Sequence, residues 1–167
     1  MHNIVKNLIL IALSVFMILS VTACKLPEKD ESSVTYDTDV AYSPQMYTSY
    51  INKQIEPVTN ALVSQMGLAD KVCDSEYPVQ DAIASAKTAR ETIETSMKGV
   101  DNVFPPAKYT SLREDALQAL VNAKDTIDTY ISELEQPYVN SAKIKSCRDL
   151  MEGDFITLTS LFNVYNQ

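Results

Sequence analysis

Few side chains in this sequence could carry out chemistry. His2 is the only histidine, and the three cysteines, Cys24, Cys73 and Cys147, are far apart in the chain. This set offers no Ser-His-Asp or Cys-His arrangement for nucleophilic catalysis. It also offers no histidine-containing zinc site and no Cys-x-x-Cys pair for thiol exchange. We therefore predict that the protein is not an enzyme, and we expect no metal and no cofactor.

Paired carboxylates are the remaining catalytic option, because two acids can support glycoside hydrolysis. The candidates are Glu91 with Glu94 and Glu114 with Asp115, and both pairs stand among lysines and arginines. That spacing is typical of a solvated helix face rather than of a site with a raised pKa. We interpret both pairs as surface residues.

The overall charge is acidic. The 167 residues include 22 Asp and Glu against 14 Lys and Arg, which gives a formal charge of −8. Such a chain does not neutralise a phosphate backbone, so we expect no nucleic-acid partner. An acidic surface favours a cationic protein or peptide as partner, bound in a salt-dependent way.

The N-terminus reads as a targeting segment. One basic residue, Lys6, precedes an uninterrupted run of apolar and small residues from Leu8 to Val21. This order is typical of a secretory signal. The alternative is an uncleaved membrane anchor, but the charge-free stretch is short for a span of about 20 residues.

Val21-Thr22-Ala23-Cys24 resembles the lipobox of bacterial lipoproteins. The resemblance implies that residues 1–23 are removed and that Cys24, modified by acyl chains such as palmitate, becomes the mature N-terminus. It further implies an extracytoplasmic protein held on a bacterial membrane by its lipid, since each buried CH₂ contributes about 0.8 kcal/mol. Removal of residues 1–23 also removes His2, so the mature chain contains no histidine.

The residues after Cys24 predict a flexible tether. The segment 24–42 is rich in Asp, Glu, Lys, Ser and Thr and shows little apolar periodicity. Such a segment buries too little apolar surface to offset the entropy of ordering. We expect a disordered linker that holds the domain 43–167 away from the membrane.

Residues 43–167 show apolar side chains at steps of three and four, which predicts amphipathic helices and no strands. Four segments follow from the pattern. They begin at Ser43-Pro44, near Tyr77-Pro78, after Pro105-Pro106 and after Pro137, with Gly67 as the expected end of the first and Pro57 as an expected kink or break within it. Short linkers favour antiparallel neighbours, so we predict an all-α, up-down-up-down four-helix bundle.

That topology brings two cysteines to one end of the bundle. Cys73 lies in the predicted first connection and Cys147 in the first turns of the fourth helix. An exported compartment permits a disulfide, so we predict a Cys73–Cys147 bond. The alternative is two unpaired, buried thiols.

Four tyrosines cluster where the tether meets the first helix: Tyr36, Tyr42, Tyr47 and Tyr50. Tyrosine offers flat, amphipathic contact area, so these residues are a candidate surface for a sugar, peptide or protein. The alternative is that Tyr47 and Tyr50 belong to the apolar stripe of the helix.

Two functions compete on this evidence. The first is a non-enzymatic binding or scaffolding module of the bacterial envelope, anchored by lipid at Cys24. The second is a carrier that holds a small apolar or amphipathic ligand in a cavity between its helices.

Overall fold

The computed structural model describes residues 42–165. Four long helices and one turn of 3₁₀-helix account for most of them. They are α1 (Pro44–Cys73), α2 (Val79–Asp101), the 3₁₀ turn (Ala107–Tyr109), α3 (Thr110–Leu134) and α4 (Ser141–Tyr165). No strand occurs in this part of the chain. The predicted signal peptide, Cys24, Tyr36 and nearly all of the predicted tether lie outside the described residues.

The helices form the predicted four-helix bundle. Helix α1 contacts α2 and α4, and α3 contacts the same two helices, so the four form a closed ring. Neighbouring helices run in opposite directions. The Tyr50 hydroxyl near the start of α1 donates to the Gly99 carbonyl near the end of α2 at 3.0 Å, and Arg148 of early α4 lies 3.8 Å from Asp70 of late α1. This confirms the all-α bundle that the periodicity predicts.

The apolar stripes of the four helices meet along the bundle axis. The large side chains that are fully buried there come from every helix: Tyr47, Ile51, Ile55, Leu62, Ile93, Leu120, Ile127, Tyr130, Leu134, Ile144 and Met151. Small residues bring α2 and α3 together, because the alanines of both stripes are buried. Burial of one large apolar side chain contributes about 1.5–3 kcal/mol, so this shared core is the main source of stability.

Polar side chains cap the starts of α1 and α4. The Ser43 hydroxyl accepts a hydrogen bond from the backbone N–H of Met46 at 3.3 Å, and Pro44 occupies the first helical position. At α4, the Asn140 side chain accepts from the N–H of Ala142 at 3.0 Å. Both side chains satisfy donors that a helix start leaves without an intrahelical partner.

The predicted end of α1 is wrong. The helix continues through Gly67 and includes Cys73, which the sequence placed in the connection, and Pro57 does not break it. The chain reverses at Ser75, which has a φ of 60°, and the Glu76 N–H bonds to the Lys71 carbonyl at 2.8 Å. This pairing closes a Schellman motif. Glycine is the usual residue at the left-handed position of this motif, but this chain has a serine there. The composition therefore does not indicate a helix end at residue 75.

The three helical glycines provide a test of this packing. A Cβ at Gly67 would meet no atom within 4 Å, whereas a Cβ at Gly99 would lie 2.2 Å from Oε1 and 2.6 Å from Cδ of Gln54. Alanine is favoured over glycine within a helix by about 0.8–1 kcal/mol. We therefore expect Gly67→Ala to raise the free energy of unfolding by up to about 1 kcal/mol.

Gly99→Ala is the matched comparison, because the same propensity gain is opposed by displacement of the Gln54 side chain. We expect its free energy of unfolding, measured by chemical denaturation, to fall clearly below that of Gly67→Ala. Equal stabilisation by both substitutions would show that the Gln54 side chain moves away from Gly99 without cost.

Candidate functional site

Cys73 and Cys147 lie at the same end of the bundle, as the helix order predicts. The Cys73 thiol donates to the carbonyl of Ser141, the first residue of α4, at 3.6 Å. Cys147 is buried in the second turn of α4. A negative charge on either cysteine would further raise the pKa of Tyr130, which indicates that both cysteines lie near its phenol. Helix ends from α1, α3 and α4 therefore meet around these three side chains.

The predicted disulfide is not formed in the structure, which contains Cys73 and Cys147 as free thiols. Burial raises the pKa of the Cys73 thiol, and Lys145 opposes this only in part. Burial also raises the pKa of the Cys147 thiol, with Glu133 acting in the same direction. The thiolate is the reactive form. Both groups are therefore protonated at neutral pH and react slowly unless an oxidant or a local opening assists them.

Tyr130 completes this end of the bundle. Its side chain is fully buried, and its hydroxyl has no hydrogen-bond partner among residues 42–165. Burial is the largest cause of its raised pKa, so the phenol stays protonated. A buried, neutral phenol without a hydrogen-bond partner therefore lies at the same end of the bundle as the two thiols.

Ion pairs surround the same end at the surface. Lys143 at the start of α4 bonds Glu133 near the end of α3 at 2.9 Å. Arg148 lies 3.8 Å from Asp70 of α1 and also bonds Glu152 one turn along its own helix. Because these groups are partly exposed, water and salt screen each pair, and its contribution to stability is small. They join the start of α4 to the ends of α1 and α3.

The tyrosine cluster is largely internal. Tyr47 is fully buried and stacks on Tyr109 with ring centroids 5.6 Å apart. Its assignment to a binding surface is therefore wrong, and it belongs to the apolar stripe. Tyr50 is half-buried and bonded to Gly99, and Tyr42 packs beside it at 6.5 Å between centroids. Tyr36 lies outside the described residues, so its predicted contact stays a prediction.

The candidate acid pairs lie at the surface, as expected for a solvated face. Glu91, Glu114 and Asp115 are exposed, and Glu94 is half-buried. Residues 42–165 contain no group of three or more His, Cys, Asp or Glu side chains placed to hold a metal ion. Within the same range, no helix is both long enough and apolar enough to cross a membrane.

Open grooves lie between the helices at the surface. One groove of about 230 Å³ runs between α1 and α4, lined by Glu56, Thr59, Phe155 and Thr159, and its walls are mostly apolar. A second groove of about 370 Å³ lies between the start of α2 and the end of α3, with Lys87 and Glu135 among its more polar lining residues. A third, of about 310 Å³, lies beside Pro57 and is lined mainly by threonine and other polar side chains of α1 and α2. All three open onto solvent.

Comparisons with protein-family models, with curated proteins and with solved structures found no match to this chain.

One half-buried acid has a measurable consequence for stability. Asp154 of α4 packs against α3, where it shares a hydrogen bond with Thr126, and its Oδ2 is buried without a partner among the described residues. Burial raises the pKa of this carboxyl, and the Thr126 bond opposes the rise. The folded protein therefore binds this proton more tightly than the unfolded chain, so ionisation of Asp154 at neutral pH lowers stability.

We expect Asp154→Asn to raise the free energy of unfolding at neutral pH, because it removes the buried charge. The gain should shrink as the pH falls through the carboxyl pKa, where the native Asp154 also becomes neutral. Denaturation curves at neutral and mildly acidic pH measure this, with exposed Asp125→Asn as the control for loss of one negative charge. A stability gain that persists unchanged in acid would contradict the assignment.

Proposed function

We propose that this protein is a lipid-anchored, extracytoplasmic module of a bacterial envelope that binds or scaffolds other molecules through the surface of its helical bundle. The observation that carries the proposal is the Val21-Thr22-Ala23-Cys24 sequence directly after an apolar run. Acylation at Cys24 would hold a polar domain on the membrane without a transmembrane helix.

The packed core supports surface binding over the carrier alternative. Two tyrosines, Tyr47 and Tyr130, fill the bundle axis together with Met151 and eight large aliphatic side chains. The described grooves are open to solvent, and none is an apolar chamber between helices. A carrier would need a cavity that buries most of its ligand.

The absence of titratable groups with catalytic geometry supports a non-enzymatic role for the described part of the chain. The thiols of Cys73 and Cys147 are protonated at neutral pH, and the acid pairs lie on solvated faces. The acidic composition, 22 acids against 14 bases, favours a cationic protein or peptide over an anionic one as a partner of the charged faces.

Lipidation is directly testable. We expect globomycin, which blocks the lipoprotein signal peptidase, to cause accumulation of a precursor about 23 residues longer than the mature chain. Cys24→Ser should abolish incorporation of labelled palmitate and release the domain from membranes, whereas Cys73→Ser, which removes a thiol from the bundle, should leave both unchanged. A protein that stays on the membrane, unlabelled, in all three experiments would be held by an uncleaved apolar anchor instead.

The exported location also makes the Cys73–Cys147 bond a continuing expectation. The two thiols share one end of the bundle, and a disulfide needs Cα atoms about 4.4–6.8 Å apart, so oxidation requires the Cα atoms of Cys73 and Cys147 to lie within that range. A bond between residues 73 and 147 would close a long loop of the chain. In the chain-entropy model, such a bond stabilises the folded protein by roughly 4 kcal/mol.

We expect mass spectrometry of unreduced peptides from the exported protein to show a 73–147 cross-link. Reduction should then lower the melting temperature by several degrees or more, at about 2–8 °C per kcal/mol. Cys147→Ser provides the control, because reduction should not change its melting temperature. Recovery of both thiols in alkylated form after aerobic purification would show that they remain free.

A further inference from the structure

The predicted tether joins the bundle at one of its two ends. It runs into Tyr42, which directly precedes the cap of α1. The end of α2 and the start of α3 lie at the same end, since the Tyr50 hydroxyl bonds Gly99 and Tyr47 stacks on Tyr109. We call this end the tether-side end and define it by residues 42–49, 98–115 and 162–165. The opposite end, taken to the same depth along each helix, is the far end, formed by residues 70–84 and 131–146.

The length of the predicted tether limits which end can reach the membrane. A random coil of the 19 residues from Cys24 to Tyr42 spans about 25 Å. Helix α1 has 30 residues, which places the far end about 40–45 Å from Tyr42 at 1.5 Å per residue. A chain acylated at Cys24 therefore keeps the tether-side end near the lipid surface. Contact through the far end would stretch the tether well beyond its relaxed span.

An exposed phenylalanine projects from the tether-side end. Phe104 is 71% exposed and lies in the loop between α2 and the 3₁₀ turn. The loop is held in place, because the Val103 side chain is buried and Pro105-Pro106 fix two backbone φ angles. Met46, in the first turn of α1, is also exposed. Exposed apolar side chains lower their free energy when they enter the boundary between headgroups and acyl chains.

The two ends of the bundle differ in charge. The tether-side end has three bases and three acids: Lys98, Lys108, Arg113, Asp101, Glu114 and Asp115. The far end has three bases and six acids: Lys71, Lys143, Lys145, Asp70, Asp74, Glu76, Asp81, Glu133 and Glu135. A bilayer with anionic headgroups therefore repels the far end, whereas the tether-side end carries no net charge to oppose contact.

Lys108 is the basic residue nearest to Phe104 in the chain that is left uncompensated. Arg113 is paired with Asp101 at 2.6 Å, whereas Lys108 forms no ion pair among residues 42–165. Its ammonium lies 4.5 Å from the centroid of the Tyr109 ring, and its side chain is exposed. A lysine beside an inserted apolar residue can keep its charged head at the level of the lipid phosphates.

We propose that the tether-side end docks on the phospholipid bilayer that holds the Cys24 anchor, with Phe104 at the boundary between headgroups and acyl chains and Lys108 against a lipid phosphate. The inference rests on the proposed function, because the anchor is what keeps this end close to the bilayer. Docking stands the bundle upright. Its acidic far end then faces away from the membrane, where a cationic partner can reach it.

The chain contains no tryptophan, so one substitution introduces a single fluorescent reporter. The test uses full-length Phe104→Trp, extracted from bacterial membranes and reconstituted into vesicles of phosphatidylglycerol and phosphatidylcholine. Bromine atoms on the acyl chains quench tryptophan that contacts them. We expect brominated vesicles to reduce the emission about twofold relative to unbrominated ones, with emission at a shorter wavelength than in detergent-free buffer.

Two matched variants place the reporter elsewhere on the bundle. Tyr138→Trp lies in the far end, where Tyr138 is 91% exposed, and Val63→Trp lies on the side of α1, where Val63 is 50% exposed. We expect neither to be quenched. Equal quenching of Tyr138→Trp would show contact through the far end, and equal quenching of Val63→Trp would show a bundle lying flat. Either result, or full emission from Phe104→Trp, would overturn the proposal.

A charge variant tests the phosphate contact. In the Phe104→Trp protein, Lys108→Glu should reduce the quenching about threefold, because it replaces attraction to phosphate by repulsion. Lys145→Glu makes the same change at an exposed position of the far end and should leave the quenching unaltered. Unchanged quenching in Lys108→Glu, with helical circular dichroism retained, would contradict the lysine contact.

Incorporation of labelled palmitate, measured on the same preparations, separates the two proposals. Full emission from Phe104→Trp in a protein that incorporates palmitate would contradict docking alone. Quenching of Phe104→Trp in a membrane-held protein that incorporates no palmitate would contradict the lipid anchor alone.

Discussion

Each of the four helices has a single apolar face, and the bundle exists because those faces can be buried only against one another. Tyr47 of α1, Leu120 and Tyr130 of α3, and Met151 of α4 have no exposed surface. Isolated helices of this length are marginal in water, and packing of an amphipathic face supplies most of their stability. The remaining features follow from this arrangement. The ion pairs lie outside the core, and the two thiols lie at one end of the bundle.

The sequence predicts this core well because helical periodicity repeats over many residues. Ile51, Ile55, Ile127 and Leu134 all fall on the predicted stripes and are all buried. Helix ends are harder to predict, since one residue decides them. The sequence predicts that α1 ends at Gly67, but the helix continues through this residue, whose surface is open. The chain reverses instead at Ser75, which has a φ of 60°. Local composition does not show which residue will adopt the left-handed backbone conformation that ends a helix.

The candidate sites were predicted only in part, and for a similar reason. Helix order is enough to bring Cys73 and Cys147 to the same end of the bundle, but the sub-ångström geometry of a bond depends on how α4 is seated against α1. Likewise, tyrosine spacing marks a cluster without showing that Tyr47 stacks beneath Tyr109. The Asp154–Thr126 contact joins separate helices, and a single sequence carries no sign of such a pairing.

Residues 43–165 are expected to fold as a helical module without the segments that precede them. The most direct test is far-ultraviolet circular dichroism with thermal unfolding of a chain that begins at Val40, so that only a short lead precedes the Ser43 cap. We expect strong helical minima and one cooperative melting transition, because every core residue named above is retained. A spectrum dominated by strand, or a helical signal lost gradually without a transition, would contradict the account.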